Sequence, residues 1–189
     1  MRVKEGEFIF LWPGGIRGVK DPLFLLRAFS RSRGDYPRAR VLFVGPILEP
    51  GYGRRFLRAL PGVRGAYWQR AVPARAMAGI YAASDVVVNS SLSEGMSNAL
   101  LEAMAMGVPV LARAIEGNRA LVRHNRTGLL FASERDFLRQ AQHLLTDAGL
   151  RRRLAAAALA QVRRRHNAAS EVRAHLQLYR QLLGEKRRG

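Results

Sequence analysis

The chain has 189 residues, 48% of them hydrophobic, no cysteine, and a net charge of +18 that is almost all arginine, the only lysines being Lys4, Lys20 and Lys186. That length supports one domain with a sizeable core, and the missing cysteines exclude disulfides, thiolate nucleophiles and metal–thiolate sites. The acid-bearing start Met1–Glu7 is unlike a signal peptide and no apolar run approaches a membrane span of ~18 residues, so a cytoplasmic location is expected, or a secretory one if a longer precursor carries a leader.

Along the chain, Phe8–Trp12 reads as a strand and Pro13–Gly18 as a glycine-rich loop. Asp21-Pro22 reads as an N-cap and first helical position, opening a helix to about Arg31 with Leu23, Leu26, Ala28 and Phe29 on its apolar face. Val41–Val44 is a short strand, followed by a helix over about Gly53–Leu60 and a weak strand Gly65–Trp68. Pro73 opens a helix to about Ala83, and Asp85–Asn89 is a strand of buried type. Ser97–Met106 is a helix closed by Gly107, Val108–Ala112 a strand, Asn118–His124 a short helix and Gly128–Phe131 a last strand. After Ser133 helices dominate, over 134–146, 148–165 and 169–183, the last with Val172, Leu176, Tyr179 and Leu183 at helical spacing and Ser170 as its cap.

Apolar strands alternating with helices mean a parallel sheet covered on both faces, an α/β Rossmann-like, doubly wound fold. The chain then reads as one domain over 1–189, with an α/β core at about 8–147 and C-terminal helices at about 148–184. Ligands of such folds sit at the carboxyl ends of the strands. The loops after Trp12, Gly45, Trp68, Asn89 and Ala112 are therefore the candidate site, and Arg17, Lys20, Glu94 and the Gly95–Asn98 turn fall there.

The most informative stretch is Ser93-Glu94-Gly95-Met96-Ser97-Asn98, with Glu102 eight positions beyond Glu94 and then Gly107-Val108-Pro109-Val110. Glu94 lies in a loop at a helix mouth and Glu102 two turns into an apolar helix. Carboxylates accept from sugar hydroxyls, and a helix N-terminus offers unpaired N–H groups and a positive dipole end to phosphate. Without their flanks, the two glutamates would read as a capping acid and a surface acid. Gly14-Gly15-x-x-Gly18 is not the dinucleotide fingerprint, and no acid follows at the right distance, so an NAD role is disfavoured. His124 and His143 are isolated and read as structural or surface residues, and the sequon at Asn89 reads as chance because Asn89 ends a core strand. The positive charge points to nucleotides or to peripheral contact with acidic membrane; nucleic acid is disfavoured because the aromatics are not interleaved with the basic runs.

Ser93-Glu94-Gly95, Glu102-Ala103-Met104-Ala105 and Gly107-x-Pro109-Val110 resemble the signature of the GT-B glycosyltransferases of family 4, the glycosyl transferases group 1 domain. Val72-Pro73, Met77, Tyr81 and Ser84-Asp85 before it, and Gly117 and Thr127-Gly128-Leu129-Leu130 after it, extend the likeness, and Gly15-x-Arg17-x-x-Lys20-Asp21-Pro22 resembles the family's phosphate-binding loop. The resemblance implies the C-terminal, donor-binding half of a GT-B fold and retaining, metal-independent transfer from a nucleotide-sugar, a UDP-sugar first among UDP-, GDP- and ADP-sugars. It implies catalytic roles for Arg17, Lys20 and Glu94, the two cations holding the diphosphate beside Gly15. It places Glu94 on the donor-sugar hydroxyls with the backbone N–H groups of Gly95, Met96 and Ser97, Glu102 on the ribose, and the base in the loop after Tyr67-Trp68. The chain departs from the family at Met96 and Ser97, which stand where an aromatic and a glycine are usual, at Glu116-Gly117, where Gly-Gly is common, and in the shorter spacing of Arg17 and Lys20. The likeness covers only the second of two GT-B domains; the first carries the acceptor site. The alternative is a non-catalytic nucleotide-sugar-binding or interaction module, a truncated form without the acceptor domain.

Overall fold

The computed structural model describes residues 6–31 and 37–165. Six parallel strands form one sheet: β1 Phe8–Pro13, β2 Ala39–Val44, β3 Ala66–Gln69, β4 Val86–Asn89, β5 Val110–Arg113 and β6 Leu129–Phe131, in the order β3-β2-β1-β4-β5-β6. The helices are α1 Pro22–Arg31, α2 Pro50–Ala59, α3 Ala74–Ala82, α4 Asn98–Ala105, α5 Glu116–Leu121, α6 Glu134–Thr146 and α7 Ala148–Arg165. The strand order reverses between β1 and β4, which pair only through Phe10–Val86 and Leu11–Val87. Beyond that short ladder the carboxyl ends of the two strands, Trp12, Pro13, Val88 and Asn89, line a crevice, the usual ligand position of this topology.

Alternate strand residues feed two cores. On one face, Phe10, Trp12, Val41 and Phe43 pack with Leu25 of α1, Phe56 of α2 and Phe137 of α6. On the other, Leu11, Val44, Val87 and Val110 pack with Tyr81 of α3 and with Leu100 and Met104 of α4. Phe24, Phe131 and Phe137 form a ring cluster with centroids 5.1–5.5 Å apart, each ring worth about 1.5–3 kcal/mol in burial.

The sequence also sets the helix ends. Gly107, at φ 70°, closes α4 with two backbone bonds, Val108 N–H to Ala103 O at 2.9 Å and Gly107 N–H to Met104 O at 3.2 Å, the pairing a left-handed glycine allows. Ser133 Oγ accepts from Asp136 N–H at 3.1 Å, and Asp136 Oδ2 accepts from Ala132 N–H at 3.0 Å, which fixes the start of α6.

Four expectations need correction. The helix expected over 53–60 starts at Pro50, because proline suits a first helical turn. The helix expected over 118–124 runs Glu116–Leu121 instead; Val122 is extended, and His124 Nδ1 accepts from Leu130 N–H at 3.0 Å. Asp21 does not cap α1 in extended conformation: it is left-handed at φ 45°, and its carboxylate turns to Arg113 at 2.9 Å. Because α4 begins at Asn98, Glu102 lies one turn into it, not two. The helix expected over 169–183, with Ser170, Val172, Leu176, Tyr179 and Leu183, lies outside the described residues.

Candidate functional site

Two cavities open at the sheet crevice and share the walls Pro13, Gly14, Gly15 and Ala99. One, of about 260 Å³, reaches Lys20, Asn89, Ser91 and Glu94; the other, of about 280 Å³, reaches Val44, Met77, Tyr81 and Glu102. A third, of about 430 Å³, continues along the edge between Pro46, Ile47, Trp68 and Arg70. The glycine loop after β1 is thus the floor between the two glutamates.

Glu94 is held on one oxygen only. Its Oε1 accepts from Lys20 Nζ in a close ion pair, from Ser91 Oγ at 2.8 Å and from Asn89 Nδ2 at 3.2 Å. Burial alone would push its carboxyl up; the hydrogen bonds from Lys20, Ser91 and Asn89 and the lysine charge outweigh it and hold the group below its ordinary value. Its Oε2 has no partner among the described residues and remains an acceptor beside the cavity. The backbone N–H groups of Gly95, Met96 and Ser97 likewise have no partner among the described residues, and Ser97 leaves α4 without a side-chain cap. Ser97 Oγ instead accepts from Asn89 Nδ2 at 3.0 Å. Free donors, a helix N-terminus and a cation suit a phosphate next to an acceptor for hydroxyls.

Glu102 is held differently. Its Oε2 accepts from the Tyr81 hydroxyl at 2.8 Å. Tyr81 is 2% exposed; burial, then the bond and charge of Glu102, push its hydroxyl far above the ordinary value of 10.0, so it stays a donor. Trp68 packs partly against the core and donates from Nε1 to Gly45 O at 3.0 Å, leaving an edge on the third cavity.

Of the residues singled out from sequence, Gly15, Lys20, Glu94, Met96, Ser97 and Glu102 line the joined cavities. Gly95 adjoins them, with open space where a Cβ would stand. Arg17 lines none of the three; its Nε is buried with no hydrogen-bond partner, so the loop keeps an unused donor. Glu116 is exposed and outside the cavity walls, whereas Gly117 is tightly placed: a Cβ there would lie 2.1 Å from Glu94 O and 2.2 Å from Gly95 O.

Sequence reasoning missed the supports. Asn89, Ser91 and Asn118 are polar yet buried beneath Glu94. Arg113 joins β5 to the loop before α1, donating to Asp21 and, from Nε, to Ser90 O at 2.9 Å, with its guanidinium 4.5 Å above the Phe24 ring. Ser90 Oγ takes Trp12 Nε1–H at 2.9 Å and faces Lys20 O and Asp21 O. The one available signal was a run of small polar residues, Asn89-Ser90-Ser91, at the end of a fully apolar strand. Among the described residues no group of three histidine or acidic side chains is placed to hold a metal, and no helix is long and apolar enough to cross a membrane.

Comparison with known proteins shows the family and the fold. Residues 7–147 match the family model of glycosyl transferases group 1. The chain is 38% identical over 168 residues to glycosyltransferase 1 domain-containing protein 1 of Xenopus tropicalis, covering 88% of this chain and 49% of that protein. It is 33% identical over 166 residues to a D-inositol 3-phosphate glycosyltransferase of Stackebrandtia nassauensis, covering 82% of this chain and 38% of that protein. The chain thus spans about half or less of the length of these curated relatives. Among solved structures, sucrose-phosphate synthase from Thermosynechococcus elongatus superposes with a TM-score of 0.82 at 26% identity, over 95% of this chain and 46% of that one. Anabaena Alr3699/HepE in complex with UDP-glucose gives 0.82 at 19%, over 92% of this chain and 49% of that one. The fold is the Rossmann-like half of the GT-B glycosyltransferases. The chain belongs to the glycosyl transferases group 1 family.

Proposed function

Starting from that family membership, we propose that this chain is the donor-binding domain of a retaining glycosyltransferase of family 4, which takes its sugar from a nucleotide-sugar, a UDP-sugar first, without a metal. The observation that carries the reading is the pair of cavities joined at Gly14 and Gly15, one ending on Glu94 and the other on Glu102. One extended ligand fits them: sugar against Glu94 Oε2, diphosphate over the glycine loop and the open end of α4, ribose on Glu102, base towards Trp68. Solved structures of the same fold hold UDP-glucose or UDP, which supports that choice of nucleotide.

In this reading the bond from the anomeric carbon to the diphosphate breaks, a bond to the acceptor oxygen forms on the same face, and the acceptor proton leaves with the departing phosphate. Lys20 offsets the charge that grows on the diphosphate, Arg17, which lies outside the cavity walls, adds its positive charge only at longer range, and the N–H groups of Gly95, Met96 and Ser97 add fixed dipoles. Glu94 orients the sugar by accepting from its hydroxyls. The acceptor is assigned to a companion domain; that the relatives are about twice this length or more supports the assignment. The second reading, a nucleotide-sugar-binding module without catalysis, shares this site and differs only in lacking that companion.

Calorimetric titration with UDP, GDP and ADP tests the proposal. Saturable binding, strongest for UDP and weakened in both Lys20→Ala and Glu102→Ala, is expected. Undiminished binding in Glu102→Ala would overturn the ribose assignment, and no binding to any nucleotide by folded protein would overturn the donor site.

A further inference from the structure

Beneath Glu94 lies a buried chain of amides that the proposed chemistry does not use. Asn118, fully buried, donates from Nδ2 to Asn89 Oδ1 at 3.2 Å and to Arg113 O at 3.0 Å. Asn89, 7% exposed, receives Ser91 N–H on the same Oδ1 at 2.9 Å and gives both its Nδ2 protons upward, to Glu94 Oε1 and Ser97 Oγ. All the bonding capacity of Asn89 is in use.

The orientation of both amides is determined by their neighbours. Turning Asn89 over would set its oxygen against the Glu94 carboxylate and its NH2 against two donors. Turning Asn118 over would set its oxygen against Asn89 Oδ1 and Arg113 O, both acceptors. Asn118 keeps its orientation although its own Oδ1 is buried without a partner. A buried unpaired acceptor is costly and uncommon, so what the amide contributes at this position is its two N–H donations. Gly117 supplies the fit, since its backbone lies directly against the carbonyls of Glu94 and Gly95.

We propose that Asn89 and Asn118 are positioning residues, a buried brace that keeps the Glu94 carboxylate in place and ionised when Lys20 leaves it for the phosphates of the ligand. The inference rests on the donor-site reading for where Lys20 goes. Lys20 and Glu94 are paired with each other, so a ligand that draws off the lysine removes one of three donors from Oε1. Ser91 Oγ and Asn89 Nδ2 then hold the carboxylate alone, and Asn118 is what aims Asn89. Without the brace, Glu94 would follow the cation towards the phosphates and abandon the sugar hydroxyls.

The test is NMR titration of the chain with 13C-labelled glutamate carboxyls, in wild type, Asn118→Ala, Asn89→Leu and Lys20→Met, and in Lys20→Met combined with Asn118→Ala. Among the described residues Lys20 is the one charged group in contact with Glu94; Glu102, bonded to Tyr81, is the internal control. The Glu94 midpoint is expected to rise by roughly 0.5 to 1 pH unit in Asn89→Leu and by less in Asn118→Ala, with Glu102 unmoved. The Asn118→Ala rise should persist at least undiminished in the Lys20→Met background. A Glu94 midpoint unchanged by Asn118→Ala, or changed only while Lys20 is present, overturns the brace. A Glu102 midpoint moving equally marks general loosening and overturns it too. Should Asn89→Leu fail to fold, Asn118→Ala decides alone. UDP titrated into the same wild-type sample separates the two levels. Binding with an unchanged Glu94 in the variants sinks the brace and leaves the site standing. No binding sinks the site, and with it the purpose assigned to the brace.

Discussion

Glu94 and Glu102 are the same residue type, eight positions apart on one loop and helix, yet the protein treats them in opposite ways. Glu94 meets a cation and two neutral donors on one oxygen and sits on a floor of buried amides. Glu102 meets one tyrosine hydroxyl on a helix flank, with no cation in contact among the described residues. In the proposed function, a carboxylate beside the bond being broken must be ionised and fixed while charge moves around it, whereas one that accepts from a ribose needs only a steady direction. On that proposal the difference separates chemistry from grip, and each prediction is a way to erase or enlarge it.

The largest effect is expected from Lys20→Met. It removes the cation shared by Glu94 and, in the proposed complex, the diphosphate, and charge-assisted bonds of this kind are worth about 1.5–3 kcal/mol. Nucleotide affinity measured by calorimetry should fall roughly ten- to a hundredfold. Gly117→Ala comes next. Its Cβ would press on the Glu94 and Gly95 carbonyls, so the loop must shift at a cost of about 1–3 kcal/mol, visible as a lowered unfolding midpoint in urea. Amide shifts should concentrate at Gly95–Ser97 and spare Glu102.

Tyr81→Phe acts on the other half. It deletes the hydroxyl that donates to Glu102 at a cost of about 1 kcal/mol, and UDP affinity should fall about fivefold with the Glu94 midpoint unchanged. The smallest effect is a pH dependence. The folded-state carboxyl of Glu94 is depressed below its ordinary value of 4.5, so its contribution to stability is present above that value and is lost as pH falls through the lower, folded value. Thermal unfolding between pH 6 and 3 should show a steeper loss in wild type than in Glu94→Gln.

Much of this was legible in sequence because the local cues and the tertiary structure agree. The spans 134–146 and 148–165 match α6 and α7, where Ser133 and Asp136 share the start of α6. β1, β4, β5 and β6 were legible because they are apolar on both faces, whereas β3, with alternate residues exposed, reads only as a weak strand. Legibility fails where a residue's local habit is overruled by a distant partner. Asn118 looks like a helix start, but its amide is committed to Asn89 and Arg113, so α5 begins before it. Asp21 looks like a cap, but Arg113, 92 positions away, takes its carboxylate. Tyr81 and Glu102 were both part of the recognised pattern, and only their packing shows that one holds the other. The buried brace left no mark except three small polar residues, Asn89-Ser90-Ser91, at the end of β4.

The central claim is that one ligand spans both glutamate cavities across the glycine loop. Backbone-amide NMR of the folded chain titrated with UDP tests it most directly. The account predicts that Gly15, Ala99 and the Gly95–Ser97 amides shift together with a single dissociation constant. Shifts confined to the arginine-rich surfaces of α6 and α7, or saturating at different UDP concentrations on the two sides of Gly15, would contradict it.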